Sequence, residues 1–520
     1  HLDVAWLWCR VPEGEELMRQ CFERALEMIE ADETKFVFSR STPWSFALLE
    51  QRYPDLFQRV CREVERGTIE LCGAEWVEAD HLIPSGEALI RQFALGQWYF
   101  QKTFGKTATV CWSPDIFGHP NTTPQLLRKA GLDGIYFHRF RPRNANNEPL
   151  HQSVWEGPDG SKIMILAGLW TAAPEEEVMH QAEAELTTTG RPATHVATGL
   201  GSDRRITMKK EWLPLPEQHC EDPTLVDCRW SSADDVLQDM QTYSDQLPQV
   251  TGEFGFGGFT GTYTSNGYNK RMNRRLENLL VSAEKAALLA SQSGFPYPAE
   301  QLSQGWRDLC VNQFHDIICG CSFGDVHRED RCLFEEVYRR AEWVVSQAIA
   351  FICHRLYEAG HGEEDADNVH AVFDFLPWQR TVPAVLPDEN DTFRSVVDES
   401  DNAVVSQQIE RDDGQHGHLI LHDNQGGIGY GIYRLSTAAP SNTNAAASSI
   451  VHEYTLDNGL VRAEIDPETG EITRFYDIQQ GTDFLDAQGV GNRLDFLEEA
   501  HLDRRGGTHN WAPWTIRYAG

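Results

Sequence analysis

From residue 1 to about 235, short apolar runs alternate with amphipathic stretches. The runs "VAWLWC", "KFVFSR", "TIELCGAEW", "ATVCWSPD", "GIYFHRF" and "KIMILAG" have the length and the aromatic or β-branched content of buried strands. Between several of them, Gly14 to Ala31 and Ser85 to Thr103 repeat apolar residues at helical intervals. Strand–helix alternation predicts a mainly parallel sheet covered by helices, and ligands bind such sheets beyond the carboxyl ends of the strands. The polar residues of this region concentrate at those ends.

Near residue 262 the period changes. Leu276, Leu279, Leu280, Ala283, Ala286, Ala287 and Ala290 recur at helical spacing. With two further helices, around Leu302–Cys310 and across Val326–Tyr357, they predict a small antiparallel three-helix bundle. "AGHGEEDADN" reads as a linker. Beyond it, "GLVRAEIDPETGEITRFYD" reads as two alternating strands around a turn that contains Pro and Gly. The expected architecture is multidomain: α/β over residues 1–260, α over 261–360 and β over 366–520. The last part reads as incomplete, because strand-like text runs to Gly520, and the missing initiator Met suggests a natural start further upstream.

A length of 520 residues fits several domains. The net charge of −34 argues against nucleic acid or an anionic membrane surface as partner, since both need clustered Lys and Arg. No apolar run approaches the roughly 18 residues of a membrane span. The 12 cysteines show no paired zinc spacing and read as free thiols of a reducing, cytoplasmic setting; Cys319 and Cys321 are the one close pair. A homo-oligomer is left open.

Five segments hold candidate chemistry. In "HLDVAWLW", an extended backbone would put His1 and Asp3 on one side, half of a metal site, although both also fit a loose chain start. In "CWSPDIFGHP", Asp115 ends an apolar strand, where a carboxylate serves as nucleophile, metal ligand or helix cap; His119, in the turn, suits a structural hydrogen bond. In "NQFHDIICG", His315 and Asp316 close a helical stretch, as core residues or as ligands. In "GAEWVEADHLIPSGEALIRQ", Trp76, Glu78 and Asp80 alternate as on a strand and Ser85 reads as a helix cap. In "GEFGFGGFTGTYTSNGYNKRMNRRLE", Tyr263 could line a cleft.

In this order, "HLDVAWLW", "GAEWVEADHLIPSGEALIRQ", "WSPDIFGH", "GTYTSNGYNKRMNRRLE", "NQFHDI" and "FLPWQRTV" resemble glycoside hydrolase family 38, the retaining α-mannosidases. The resemblance implies a (β/α)7 catalytic barrel, a three-helix bundle that supplies a zinc ligand, and the start of a truncated β-sandwich. It implies one zinc ion held by His1, Asp3, Asp115 and His315, with Asp115 also the nucleophile. Trp6, Phe117, Arg139, Tyr263 and Asp316 then match residues that contact the sugar or hold the nucleophile. The implied substrate is a mannose-containing oligosaccharide that loses terminal α-mannose through a covalent glycosyl-enzyme, with the two catalytic carboxyls about 5–5.5 Å apart.

One motif departs from the family pattern. Where many members carry Gly-Asp-x-Gly-Gly-Gly-Pro-Thr around the acid, this chain has "GLGSDRRIT". Asp203 is the nearest acid/base candidate, yet two arginines follow it and would lower its pKa, so Glu78 and Asp80 stand as substitutes. The change also leaves room for a metal-dependent carbohydrate deacetylase or amidase, or for a mannoside-binding protein with impaired catalysis.

Overall fold

The structure, a computed structural model, describes residues 2–31, 36–139, 141–147, 150, 152–166, 206, 208–221, 229–255, 259–360, 368–388, 394–410, 414, 416–437, 450–452, 454–486 and 489–494. The described residues divide into two compact units: one holds those up to Glu284 with Pro298–Val345, the other Lys285–Tyr297 with the described residues from Ser346 onward. The whole is a multidomain assembly of α/β, helical and β segments.

In the first unit, β1 (Phe38–Arg40) pairs in parallel with β2 (Ile69–Leu71). Just past β2, the Gly73 N–H donates to the Val110 carbonyl at 2.9 Å, which lays this pair beside β3 (Val110–Trp112). A five-stranded sheet follows from β3, β4 (Gly134–Tyr136), β5 (Gln152–Glu156), β6 (Lys162–Leu166) and β7 (Gln249–Thr251). Its order is β3-β4-β6-β5-β7, parallel throughout except for the β5–β6 pair. The pattern reading missed β5. The signal was there in "GPDGSK", whose tight turn closes with the Gly157 N–H on the Ser161 carbonyl at 2.9 Å and joins two short apolar runs into a hairpin.

Helices α1 (Glu15–Ala31), α2 (Pro43–Arg52), α3 (Pro54–Arg66), α4 (Gly86–Phe104) and α5 (Thr123–Lys129) pack on this framework. In α3, Leu56, Phe57, Val60 and Val64 form one buried stripe. At roughly 1.5–3 kcal/mol for each fully buried large apolar side chain, that stripe outweighs the modest propensity of a 13-residue helix. Ser85 caps α4 by accepting the Ala88 N–H at 3.2 Å, as its sequence position predicted. Gly96 in α4 is required by close approach, since a Cβ there would strike the Ala74 carbonyl.

The expected first strand, "VAWLWC", is an irregular segment instead. Leu2, Val4, Ala5 and Trp6 are buried, so the apolar reading was sound. The backbone, however, is met by other elements: the Trp6 carbonyl accepts the Phe323 N–H at 3.1 Å, and Gly14 sits so close to the Val4 carbonyl that a Cβ would lie 2.6 Å from it. Burial fixed the pattern of hydrophobic residues there without a ladder.

The helices Gly267–Ser291, Ala299–Asn312 and Gly324–Glu358 correspond to the helical-period region, with a single turn at His315–Ile318 between the last two. In the second unit β8 (Val369–Asp374), β9 (Arg380–Asp388), β10 (Ser395–Asp398), β11 (Ala403–Val404), β12 (Ser406–Glu410), β13 (His416–Asn424) and β14 (Gly429–Ser436) build two antiparallel sheets, β11-β10-β14-β8 and β12-β13-β9. The predicted hairpin appears as Val461–Ile465 paired antiparallel with Ile472–Asp477, in a further five-stranded sheet. No helix among the described residues is long and apolar enough to cross a membrane.

Candidate active site and metal centre

His315 opens the single turn after the helix Ala299–Asn312, and the segment before it runs beside residues 78–80. The Glu78 carbonyl accepts both the His315 backbone N–H, at 3.2 Å, and its ring Nδ1–H, at 2.9 Å. A carbonyl only accepts, so Nδ1 is the donor and Nε2 is turned to the other side. There it meets three carboxylates: Asp115 Oδ2 at 3.7 Å, Asp3 Oδ1 at 3.8 Å and Asp316 Oδ2 at 3.9 Å. All four side chains are buried. Asp3, His315 and Asp316 each offer a ligand atom within 4.8 Å of the others.

Charge makes this cluster unusual. Burial opposes protonation of His315, but the hydrogen bond and charge of Asp115, with Asp316 and Asp3, raise its pKa to about 10. Burial and then the Asp3 charge push Asp316 up to about 8. One imidazole and the Arg139 guanidinium cannot balance three acids, and a divalent cation in place of the imidazole's proton would. The donor set passes that test: one imidazole nitrogen and hard carboxylate oxygens, with the other ring nitrogen fixed by a backbone carbonyl, is the environment of a zinc-binding histidine.

Asp115 lies in the loop after β3. Its Oδ1 accepts from Arg139 Nε and lies 3.7 Å from His138 Nε2, so its two oxygens face different partners. The Arg139 guanidinium is itself held over the Phe117 ring at 5.7 Å and the Phe259 ring at 5.2 Å. Phe117 also meets the His315 ring edge-on, with 5.6 Å between centroids. The loop is anchored by a two-bond bridge between His119 and Phe254, where Gly255, at φ 107°, passes so close that a Cβ would lie 2.5 Å from Gly118 Cα.

The remaining candidates divide. Trp6 is buried, in the same segment as Asp3. Tyr263 ends the turn Thr260–Tyr263, its phenol pushed up to about 12 by burial and then by the charge of Asp80. Glu78 accepts from Ser41 Oγ at 2.6 Å. Asp80 accepts the Leu82 and Ile83 N–H groups at 2.9 and 2.7 Å and the Cys319 thiol at 3.5 Å. This all-acceptor setting suits a carboxylate that holds a loop rather than one that delivers a proton. His119 is structural, as its turn position suggested: it is fully buried and pairs with His81 at 3.3 Å between Nδ1 atoms. His1 and Asp203 lie outside the described residues. Sequence reasoning missed His138 and Phe259; the one usable signal was the adjacency of His138 to Arg139 at the end of "GIYFHRF".

Residues 1–268, just over half of the chain, match the family described as the glycosyl hydrolases family 38 N-terminal domain. The chain belongs to glycosyl hydrolase family 38. Residues 258–352 match the alpha mannosidase middle domain. Among curated relatives, alpha-mannosidase 2C1 of Homo sapiens is 28% identical over 530 residues, covering 99% of this chain and 46% of the relative. An alpha-mannosidase of Saccharomyces cerevisiae is 28% identical over 374 residues, covering 68% of this chain and 34% of the relative. The family 38 chain thus spans about half the length, or less, of these relatives. Its fold is that of an alpha-mannosidase from Enterococcus faecalis, with a TM-score of 0.76 at 21% identity over 93% of this chain and 60% of the other.

Proposed function

We propose that this family 38 chain carries the catalytic core of a zinc-dependent retaining α-mannosidase that removes terminal α-mannose from oligosaccharides. The observation that carries the reading is the convergence of Asp3, Asp115 and Asp316 on His315 Nε2, from segments more than 300 residues apart, with Arg139 on the far oxygen of Asp115. In this reading residues 1–260 form a (β/α)7 catalytic domain, 261–360 a three-helix bundle and 366–520 the beginning of a β-sandwich. His1, Asp3, Asp115 and His315 would hold the metal. Bound zinc would supply a Lewis acid that fixes vicinal sugar hydroxyls. The buried free thiols Cys72, Cys111, Cys310 and Cys319 support a reducing, cytoplasmic setting.

The residues then take distinct roles. Arg139 orients Asp115 so that one carboxylate oxygen attacks the anomeric carbon while the bond to the leaving oxygen breaks. Asp316 and Tyr263 bind sugar hydroxyls, and the rings of Trp6 and Phe117 exclude water from the charged centre. Asp203 is the proposed proton donor to the leaving oxygen and, in the second step, the base that deprotonates water. The glycosyl–Asp115 ester then breaks with a second inversion, so the anomeric configuration is retained.

The test is hydrolysis of an aryl α-mannoside by the zinc-loaded full chain, with the first-formed anomer read by NMR. The expected product is α-mannose, with Asp115→Asn lowering turnover by on the order of a thousand-fold or more. A β product, or undiminished turnover in that variant, would remove Asp115 as nucleophile. Acetate release without glycoside cleavage would replace the reading with a deacetylase.

A further inference from the structure

A second cavity of about 380 Å³ opens among α2, α4 and the helix Ala299–Asn312. None of the residues assigned to the metal centre lines it. Three of its walls are tryptophans, Trp44, Trp76 and Trp98, and Trp98 is half exposed. Clustered indoles around a polar opening fit an organic ring better than solvent alone.

The polar groups favour one charge type. Arg307 lies over the Trp76 ring at 5.6 Å and over Trp98 at 6.0 Å, and Lys102 lies over Trp98 at 4.7 Å. Among the described residues neither cation has a carboxylate within ion-pair distance, and Arg307 Nε is buried without a hydrogen-bond partner. The indole N–H of Trp76, a residue only 4% exposed, is likewise buried with no partner among the described residues. These three groups only donate.

The two acids on the wall are already engaged. Glu50 accepts the Tyr99 hydroxyl at 2.9 Å, and Asp308 accepts from Gln304 Nε2 at 2.8 Å with Arg340 Nε at 3.9 Å. In a chain carrying 79 acidic against 45 basic residues, these two cations share one cavity with no acid among the described residues at ion-pair distance from either. A guanidinium set beside indole rings, with no carboxylate on it, keeps N–H groups for a planar or tetrahedral oxyanion.

We propose that this cavity is a binding site for an organic anion: Arg307 and Lys102 take its carboxylate or phosphate, and Trp44 and Trp98 line the space for the ring that carries it. The site is separate from the proposed hydrolytic centre and does not depend on that assignment.

Calorimetry and tryptophan fluorescence of the full chain test it with four probes: glucose 6-phosphate, glucuronate, inorganic phosphate and mannose. Saturable binding of one or both sugar anions is expected; the tighter of the two identifies the preferred head group. Inorganic phosphate should bind about tenfold more weakly for want of the ring contacts. Arg307→Gln and Lys102→Gln should each weaken the sugar anion about tenfold. Lys102 is exposed, so its variant keeps the test valid even if Arg307→Gln disturbs packing. Trp98→Leu should weaken the sugar anion and leave inorganic phosphate unchanged. Titrations unaltered in both cation variants, or mannose bound as tightly with the same dependence on Arg307, would overturn the assignment.

Discussion

Two buried histidines in this chain sit beside aspartates with opposite outcomes. In the second unit, His418 Nε2 lies 3.0 Å from Asp388 Oδ2 while Arg394 Nη2 donates to Asp388 Oδ1 at 2.6 Å. One acid faces one permanent cation and one imidazole, so the carboxylate charge is met within the protein. At His315 three acids face one imidazole and the Arg139 guanidinium, which leaves negative charge in excess. Burial alone therefore says nothing about function; the sign of the residual charge does. A cluster that cancels itself holds strands together, and one that cannot cancel itself calls for something from outside.

The sharpest way to break the comparison is to remove one member of each cluster in turn. His315→Ala should cut zinc affinity, read by equilibrium dialysis, by at least about a hundredfold and turnover with it. Asp388→Ala should leave metal content unchanged, yet destabilise the fold by about 3–5 kcal/mol in denaturant unfolding, because Arg394 becomes a buried, uncompensated cation. Zinc at about a thousand times the wild-type Kd should add about 4 kcal/mol to wild-type stability and no more than about 1.4 kcal/mol to His315→Ala. An equal gain in both proteins would place the ion elsewhere.

Smaller effects sharpen the picture. Arg139→Lys keeps the charge but loses the planar donor held over Phe117 and Phe259, so kcat should fall roughly tenfold to a hundredfold with KM little changed. Asp374 gives the mildest case. Burial raises its pKa, but hydrogen bonds from Arg380 and the Leu376 N–H outweigh that and hold it at about 2. Its contribution is present above the unfolded value near 3.9 and is lost as pH falls toward 2. In Asp374→Asn this acid-side loss, on the order of 1 kcal/mol for a buried acid whose arginine partner stays partly exposed, should disappear from the pH profile of stability.

Much of the fold was legible because its signals are local. The period of Leu276, Leu280 and Ala283 required only that one helix face be buried, and all three are. The cap at Ser85 needed four residues of context. The strand expected at "VAWLWC" failed because hydrophobicity reports burial and not which backbone groups lie alongside. The site was legible in another manner. Asp3, Asp115 and His315 share no spacing, and it was the ordered set of stretches similar to family 38 that united them. His138 and Phe259 escaped because each acts through a neighbour, one beside Asp115 and one beneath Arg139.

The double acceptance by the Glu78 carbonyl reaches further than holding one ring. Main chain and imidazole at position 315 are hitched to the same oxygen, so where the backbone lies decides where the ring finds its acceptor. Adding or deleting a residue near position 78 would swing the imidazole away from its acids while every chelating residue stayed in place. Evolution of this scaffold is thus constrained at a peptide group as well as at the side chains that meet the imidazole.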